Sequence, residues 1–228
     1  MKLATIGTVL QLMHSQGVWK TLRSIKHRLE DKYLEYRLGI STSESKTKQE
    51  LGLTRIEDRP YVASDYGSFR KLLKALEIRE GTDVFVDFGA GMGRSMIFAG
   101  LYPFRRIVGV EISPELCRIA ERNVSRARPK LRCKDIATVT SDAMSFPIPP
   151  DMTVAYFFNP FTGAILDAVL ENIRRSLQEV PRQIRFVCND YSSESQFSRQ
   201  IRGCPWLVLQ KTISLEHKGQ IGSIYLNA

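Results

Sequence analysis

The sequence DVFVDFGAGMG at residues 83–93 carries the strongest indication of architecture in the chain. Its first five residues, DVFVD, form a nearly continuous apolar stretch typical of a short buried strand, and Gly89, Gly91 and Gly93 follow at alternate positions. Glycine allows a sharp turn at positive φ and leaves no Cβ between the backbone and a ligand. The dinucleotide-binding pattern G-x-G-x-x-G requires glycine at position 94, where this chain has Arg94. We therefore predict a ligand-binding strand-turn-helix unit without the dinucleotide pattern.

Strand-like and helix-like segments alternate around this turn. The strand-like runs occupy residues 83–87, 106–110, 136–140, 153–158, 183–188, 206–215 and 220–226. Alternation with helices predicts a parallel sheet covered on both faces. Only residues 217–219 separate the last two runs, and so short a connection requires an antiparallel hairpin. We expect an α/β fold with a doubly wound, mostly parallel seven-stranded sheet, a terminal antiparallel hairpin and an N-terminal helical extension.

Composition limits the class of protein. The 228 residues are enough for one domain with an appendage. Lys and Arg total 33 against 24 Asp and Glu, and the net charge of +9 favours an anionic partner. The four cysteines form no C-x-x-C pair and no zinc-finger spacing with histidine, so we expect a reduced, cytoplasmic chain without a metal. The apolar residues 3–13 are too few to span a bilayer, and we expect no stable membrane insertion.

An amphipathic helix is predicted over residues 16–38. Its apolar residues recur at intervals of three and four and form one stripe: Val18, Leu22, Ile25, Leu29, Tyr33 and Tyr36. We expect this helix to dock on the rest of the chain, to lie on an anionic membrane or to bind a partner. Residues 41–50, STSESKTKQE, contain no apolar residue and predict a solvated linker. The predicted boundary near residue 55 divides the chain into an extension at 1–55 and a main domain at 56–228.

Three acidic residues stand where predicted strands end. Asp87 closes the strand before the glycine turn, Glu111 lies 22 residues after Gly89, and Asp142 follows the third strand. Because the carboxyl ends of parallel strands meet at one crevice, we expect these carboxylates to surround a single ligand. They suit a neutral or cationic ligand, and Glu111 is placed to accept hydrogen bonds from a ribose diol. The alternative is that each acid caps the following helix.

These segments resemble the motifs of one enzyme family. VDFGAGMGR, GVEIS and SDAMSF resemble motifs one, post-one and two of class I S-adenosylmethionine-dependent methyltransferases, over residues 62–228. The chain as a whole is similar to uncharacterised bacterial members of this class. The resemblance implies S-adenosylmethionine as the cofactor. It places the methionine and ribose end at Asp87, Gly89, Ala90, Gly91 and Gly93, the ribose hydroxyls at Glu111, and the adenine amino group at Asp142 and Ala143. Ile112 is a further predicted cofactor-binding residue.

The resemblance also places Asn159-Pro160-Phe161, after the fourth strand, opposite the transferable methyl group. An asparagine carbonyl accepts a hydrogen bond from an attacking N–H, and an aromatic ring packs beside the acceptor. The segment resembles the N/D-P-P-Y/F signature of amino-group methyltransferases but is one residue shorter, and its spacing fits better the Asn-x-Phe of seven-stranded, non-SET histone-lysine methyltransferases. We predict Asn159 and Phe161 as catalytic residues, with Asn159 also contacting the cofactor. The alternative is a structural turn.

Three further features have two interpretations each. Tyr66, before the first helix of the main domain, is predicted either as a lid contact to the cofactor or as a core aromatic. Residues 189–191, Asn-Asp-Tyr, either touch substrate or cap a loop. The basic run at residues 118–134 either contacts RNA phosphates or forms a solvated helix end, and it lacks the interleaved aromatics that stack on bases.

The sequence therefore favours methyl transfer to an amine nitrogen on a protein, lysine-like, or on a small molecule. Alignment of amine, methyl group and sulfur carries most of such a reaction, so no metal is expected. An RNA methyltransferase is the second interpretation, and a non-catalytic cofactor-binding module is the third.

Overall fold

The computed structural model describes residues 18–215 and 219–228. The helices are α1 (Val18–Leu38), α2 (Tyr66–Ala75), α3 (Arg94–Ala99), α4 (Pro114–Ala127), α5 (Gly163–Glu179) and α6 (Gln196–Arg202). The strands are β1 (Val84–Phe88), β2 (Arg106–Glu111), β3 (Ile136–Thr140), β4 (Val154–Phe158), β5 (Arg185–Asp190), β6 (Leu207–Ser214) and β7 (Ile221–Asn227). Among the residues described, no helix is both long and apolar enough to cross a bilayer.

The strands form one seven-stranded sheet in the order β3-β2-β1-β4-β5-β7-β6. Strands β1 to β5 run parallel to one another, and β7 pairs antiparallel with both β5 and β6. The predicted sheet with its terminal hairpin is confirmed, although residues 217 and 218 of the predicted connection lie outside the described residues. The strand order reverses between β1 and β4, which is where open α/β sheets bind their ligands.

Helices cover both faces of the sheet, as the alternating pattern predicted. On one face α2 and α3 pack on β1 and β4, with Phe69 and Met96 fully buried near Phe85. On the other face α5 and α6 pack on the same strands, and Leu166 and Phe197 are fully buried there. Every residue of β1 is buried, which explains why its sequence is nearly continuously apolar instead of alternating.

The predicted N-terminal helix is present as α1, but the face expected to be apolar and docked is exposed. Leu22, Leu29, Tyr33 and Tyr36 are 48%, 61%, 59% and 85% exposed, and the side chain of Val18 is outside the described part. The docked face instead carries polar anchors. The orientation of α1 therefore follows the buried ion pairs on its docked face and not the apolar periodicity of its sequence.

The anchor of α1 is Arg94, the first residue of α3. Its Nη1 lies 3.1 Å from Asp31 Oδ2 and its Nη2 lies 3.2 Å from Glu35 Oε1, and the guanidinium stands 4.4 Å from the centre of the Tyr66 ring. Arg94 is buried, and both carboxylates are largely buried. Leu38, on the same side of α1, joins the core.

Most of residues 41–50 are exposed, as expected of a solvated linker, and Thr42 is the buried exception. Thr42 is completely buried, its N and Oγ1 donate to Glu35 Oε1 at 2.7 and 2.6 Å, and Arg94 Nε donates to its hydroxyl at 2.8 Å. Arg94 also donates to Ser43 Oγ at 2.9 Å and to the carbonyl of Ser64. Polar residues are buried here because the ion-pair network satisfies them. The boundary near residue 55 stays a prediction.

Replacing Arg94 with methionine should lower the free energy of unfolding by about 3 kcal/mol or more, because it leaves two largely buried carboxylates without their cation. Urea denaturation measures the loss. Arg174→Met is the matched control, since Arg174 pairs with Glu171 at the surface, where both side chains are more than 40% exposed. That control should change the unfolding free energy by less than about 1 kcal/mol. Equal midpoints for the two variants would show that the buried pair does not hold α1.

Candidate active site

A cavity of about 420 Å³ opens at the carboxyl ends of the central strands, at the point where the strand order reverses. Its volume lies within the roughly 300–1,000 Å³ typical of small-molecule sites. The structure brings most of the predicted site residues together around it: Asp87, Gly89, Ala90, Glu111, Ile112, Asp142, Ala143, Asn159 and Phe161. This clustering agrees with the expectation that the strand-end acids share one crevice.

Three predicted residues do not line this cavity. Gly93 packs against Ala120 of α4 at a φ of 82° and begins α3. Gly91 lies beneath the ring of Tyr61. Tyr66 lies under the Arg94 guanidinium instead of over the cavity, so its position fits the core interpretation and not the lid contact. The Asp65 side chain fixes the start of α2 by accepting a hydrogen bond from Ser68 N at 2.8 Å.

The glycine turn has no room for side chains at two positions. At Gly89, with a φ of 89°, a Cβ would come within 2.6 Å of Pro160 Cβ. At Gly91, with a φ of 55°, a Cβ would overlap the Tyr61 ring. Both positions combine a left-handed backbone with a close neighbour, so only glycine fits. The turn thereby brings Pro160 of the predicted catalytic segment against the first cofactor motif.

Glu111 braces the same turn. Its Oε2 accepts a hydrogen bond from Gly91 N at 2.8 Å, and its Oε1 accepts one from Ser113 N at 3.0 Å. Burial raises the pKa of Glu111, although these backbone hydrogen bonds act in the opposite direction. Each carboxylate oxygen can accept two hydrogen bonds, so both retain a lone pair that can receive a ribose hydroxyl.

Asp87 is the second buried acid of the cavity. Burial, with a smaller contribution from the neighbouring charge of Glu111, raises the pKa of Asp87 to about 8. Its Oδ2 is buried and makes no hydrogen bond to any of the described residues. A buried carboxyl group in this state gains most from a ligand that carries a positive charge or a hydrogen-bond donor. This requirement fits the cationic methionyl part of S-adenosylmethionine.

The sequence reasoning did not predict the residues that cover the cavity, which we call its roof: Arg55, Asp58 and Tyr61. Arg55 Nη1 donates to Asp142 Oδ2 at 2.7 Å and Arg55 Nη2 donates to Asp58 Oδ1 at 3.1 Å, so the third acid is paired. Tyr61 donates its hydroxyl to the carbonyl of Thr42 at 2.7 Å while its ring covers the glycine turn. Residues 51–62, LGLTRIEDRPYV, have no helical or strand periodicity, and the mixture of apolar and charged residues after a polar segment was the available signal.

Asn159 is held in a defined orientation beside the cavity. Its backbone is left-handed at a φ of 38°, and its Nδ2 donates to Asp190 Oδ1 at 2.8 Å. Asp190 is buried and also accepts hydrogen bonds from Tyr191 N and Ser198 Oγ, each at 2.7 Å. Asn159 Oδ1 is buried and has no partner among the described residues. The carboxylate fixes the amide so that its carbonyl oxygen remains available to a hydrogen-bond donor.

The aromatic residues around Asn159 complete this end of the cavity. Phe161 is buried, packs edge-on to Phe157 at 6.5 Å between ring centres, and its backbone bridges to Asp58 of the roof. Phe158 and Tyr191 lie 5.5 Å apart and both line the cavity. The prediction for residues 189–191 placed them on this rim, and Tyr191 lies there while Asp190 orders the loop.

Comparison with known proteins indicates the class of protein. Residues 85–196 match a family model described as a methyltransferase domain. None of the curated proteins matches the sequence. The match over residues 85–196 and the seven-stranded sheet agree with the predicted class I methyltransferase fold, and S-adenosylmethionine remains the predicted cofactor. The assignment to a type with the Asn159-Pro160-Phe161 segment stays a prediction.

Several solved structures share the fold. An RNA methyltransferase from Salinibacter ruber in complex with S-adenosyl-L-homocysteine is 23% identical, with a TM-score of 0.53 over 73% of this chain and 94% of its own. A SAM-dependent methyltransferase from Aquifex aeolicus is 15% identical, with a TM-score of 0.54 over 70% and 89% of the two chains. Geranyl diphosphate C-methyltransferase from Streptomyces coelicolor is 16% identical, with a TM-score of 0.52 over 70% and 76%.

Gly91→Ala should weaken S-adenosylmethionine binding by about tenfold or more, because the added Cβ displaces the Tyr61 ring and shifts the turn that Glu111 braces. Gly81→Ala is the matched control: Gly81 also has a left-handed backbone, at a φ of 64°, but a Cβ there meets nothing within 4 Å. Isothermal titration calorimetry compares the two variants. If both bind the cofactor as the wild type does, the Tyr61 ring and the turn do not shape the site.

Binding of S-adenosylmethionine at pH 7 should release up to about one proton. Asp87 is predominantly protonated below its pKa of about 8, and a cation beside it lowers that pKa, so the proton leaves on binding. Calorimetry in two buffers of different ionisation enthalpy measures the number released. Asp87→Asn should release none. Proton-neutral binding by the wild type would contradict this assignment.

Proposed function

We propose that this protein transfers the methyl group of S-adenosylmethionine to an amine nitrogen on a protein, such as a lysine side chain, or on a small molecule. The observation that carries the proposal is the buried, unpartnered Oδ1 of Asn159, held toward an incoming donor by the Nδ2 hydrogen bond to Asp190. A nitrogen nucleophile that bears a hydrogen is the kind of acceptor that such a carbonyl oxygen can align.

The cofactor would lie along the strand ends. S-adenosylmethionine, when bound, supplies a methyl group on a cationic sulfur. Asp87 is suited to the methionyl end because it gains from a positive charge, and Glu111 is suited to the ribose because its oxygens each keep a free lone pair. Asp142 and Ala143 line the far side, where the adenine is expected.

The acceptor would enter beside Phe158 and Tyr191. Their rings can receive an alkylammonium group through cation–π contacts before it releases its proton to solvent water. Burial in this partly apolar cavity favours the neutral amine. Asn159 then accepts one N–H hydrogen bond and directs the nitrogen lone pair, while Phe161 restricts access of water. An amide is not a base, so the chain contributes alignment more than proton abstraction.

An RNA acceptor is the second candidate. The S. ruber protein of the same fold is an RNA methyltransferase, and the basic residues of α4 and the following turn are exposed. Several of these side chains, however, tie the chain to itself: Arg132 pairs with Glu80 at 3.0 Å, and Arg128 donates to the carbonyls of Lys134 and Ile136. Because these guanidinium groups are already bonded within the chain, fewer of them are available to RNA phosphates. This favours the amine acceptor.

Asn159→Gly should reduce single-turnover methyl transfer by about 100-fold while changing S-adenosylmethionine affinity by only a few-fold, because the lost hydrogen bond forms mainly in the transition state. Glycine is chosen because it keeps the left-handed backbone of this position without strain. Glu77→Gly is the matched control, since Glu77 is the other described non-glycine residue at positive φ, at 53°, and lies away from the cavity. Its transfer rate should equal that of the wild type.

The assay uses labelled S-adenosylmethionine with fractionated lysate, and then the acceptor that it reveals. Label in protein or in a small amine supports the proposal, and label in RNA replaces it with the second candidate. An Asn159→Gly protein that transfers at the wild-type rate would reduce the Asn159-Pro160-Phe161 segment to a structural turn.

A further inference from the structure

The apolar face of α1 is largely exposed in the part of the chain that the structure describes. We define the α1 stripe as Leu22, Ile25, Leu29, Tyr33 and Tyr36, of which four are exposed and Ile25 is half-buried. From Leu22 to Tyr36 the stripe is about 21 Å long, at 1.5 Å of rise per residue. Single exposed apolar residues are normal on a protein surface, but a contiguous exposed apolar stripe of this length indicates an interaction site.

The helix is held so that most of this stripe faces away from the domain, while Tyr33 at its edge lines a cleft beside Phe98 and Tyr102. Asp31 and Glu35 lie on the opposite face and pair with the buried Arg94, and Leu38 joins the core. The stripe is therefore presented by a helix fixed to the methyltransferase domain.

Positive charge borders the stripe. The side chains of Lys26, Arg28, Lys32 and Arg37 are all exposed on α1. Asp31 and Glu35 are used inward by Arg94, and Glu30 is balanced by Lys26 at 3.9 Å. The outward side of the helix thus combines leucine and tyrosine with a surplus of lysine and arginine.

The positive surface extends beyond α1. Lys130 donates its Nζ to the carbonyl of Arg37, which brings the basic carboxyl end of α4 against the end of the stripe. Arg122 and Arg126 are exposed on that end of α4. An apolar stripe bordered by cations on one side of a fixed helix is the pattern of a helix that lies in the interface of an anionic bilayer.

We propose that the α1 stripe docks this protein on an anionic phospholipid surface, with α1 lying in the plane of the membrane. Leucine and tyrosine side chains enter the headgroup boundary, and the bordering lysine and arginine side chains pair with lipid phosphates. A second copy of the chain fits less well, because it would bring the same cations face to face. An RNA strand would leave the apolar stripe in water.

Vesicle co-sedimentation of the full chain tests the proposal. The wild type should sediment with vesicles of phosphatidylcholine and phosphatidylglycerol and stay in solution with phosphatidylcholine alone. The variant Leu29→Ser/Tyr33→Ser should weaken binding to the anionic vesicles by about tenfold or more, because it removes inserted apolar area and no charge. Val180→Ser is the matched control, since Val180 is 43% exposed at the end of α5, and it should bind like the wild type.

Thermal unfolding should be the same for the wild type and both variants, since the altered side chains are exposed, and this measurement separates lost docking from lost folding. The proposal is overturned if the wild type ignores anionic vesicles, or if the double variant binds them equally well. It is also overturned if the double variant abolishes a dimer seen by sedimentation, or if single-stranded RNA and not the vesicles binds the wild type and the double variant with equal affinity.

Discussion

The buried guanidinium of Arg94 joins the two parts of this molecule. Arg94 directly follows the glycine turn, so the side chain that holds α1 and residues 42–64 starts within the cofactor motif itself. A buried arginine is stable only when its donors are satisfied, and here two carboxylates, two hydroxyls and a carbonyl accept from it. Arg94 therefore attaches Thr42, Ser43 and Ser64, which lie on either side of the roof segment in sequence, to the end of the glycine turn.

The three acids of the cavity coexist because each has a different environment. Arg55 pairs with Asp142, two backbone N–H groups hold the carboxylate of Glu111, and burial keeps Asp87 largely neutral by raising its pKa to about 8. Three ionised and unpaired carboxylates in one cavity would repel one another. This arrangement is consistent with the proposal that the positively charged methionyl end of the cofactor binds next to Asp87.

The parts of this structure that the sequence predicted are those with local patterns. The seven strands, the glycine turn and the clustering of the strand-end acids follow from periodicity and from the rule that parallel strands end at one edge. The orientation of α1 did not follow, because the ion pairs between Arg94 and residues 31 and 35 span about 60 positions of the chain and leave no periodic trace. Tyr61 and Arg55 were missed for the same reason, since irregular segments acquire their positions from distant partners.

The two faces of α1 contribute differently to the stability of the fold. Burying one leucine or tyrosine side chain would stabilise the fold by about 1.5–3 kcal/mol before ordering costs. The described structure leaves four such side chains in water and attaches the helix through a charged network instead. Attachment through that network leaves the apolar face available for a second surface. The polar face of α1 attaches the helix to the domain, and its apolar face stays exposed. The cations that border this apolar face support the proposal that it binds an anionic membrane surface.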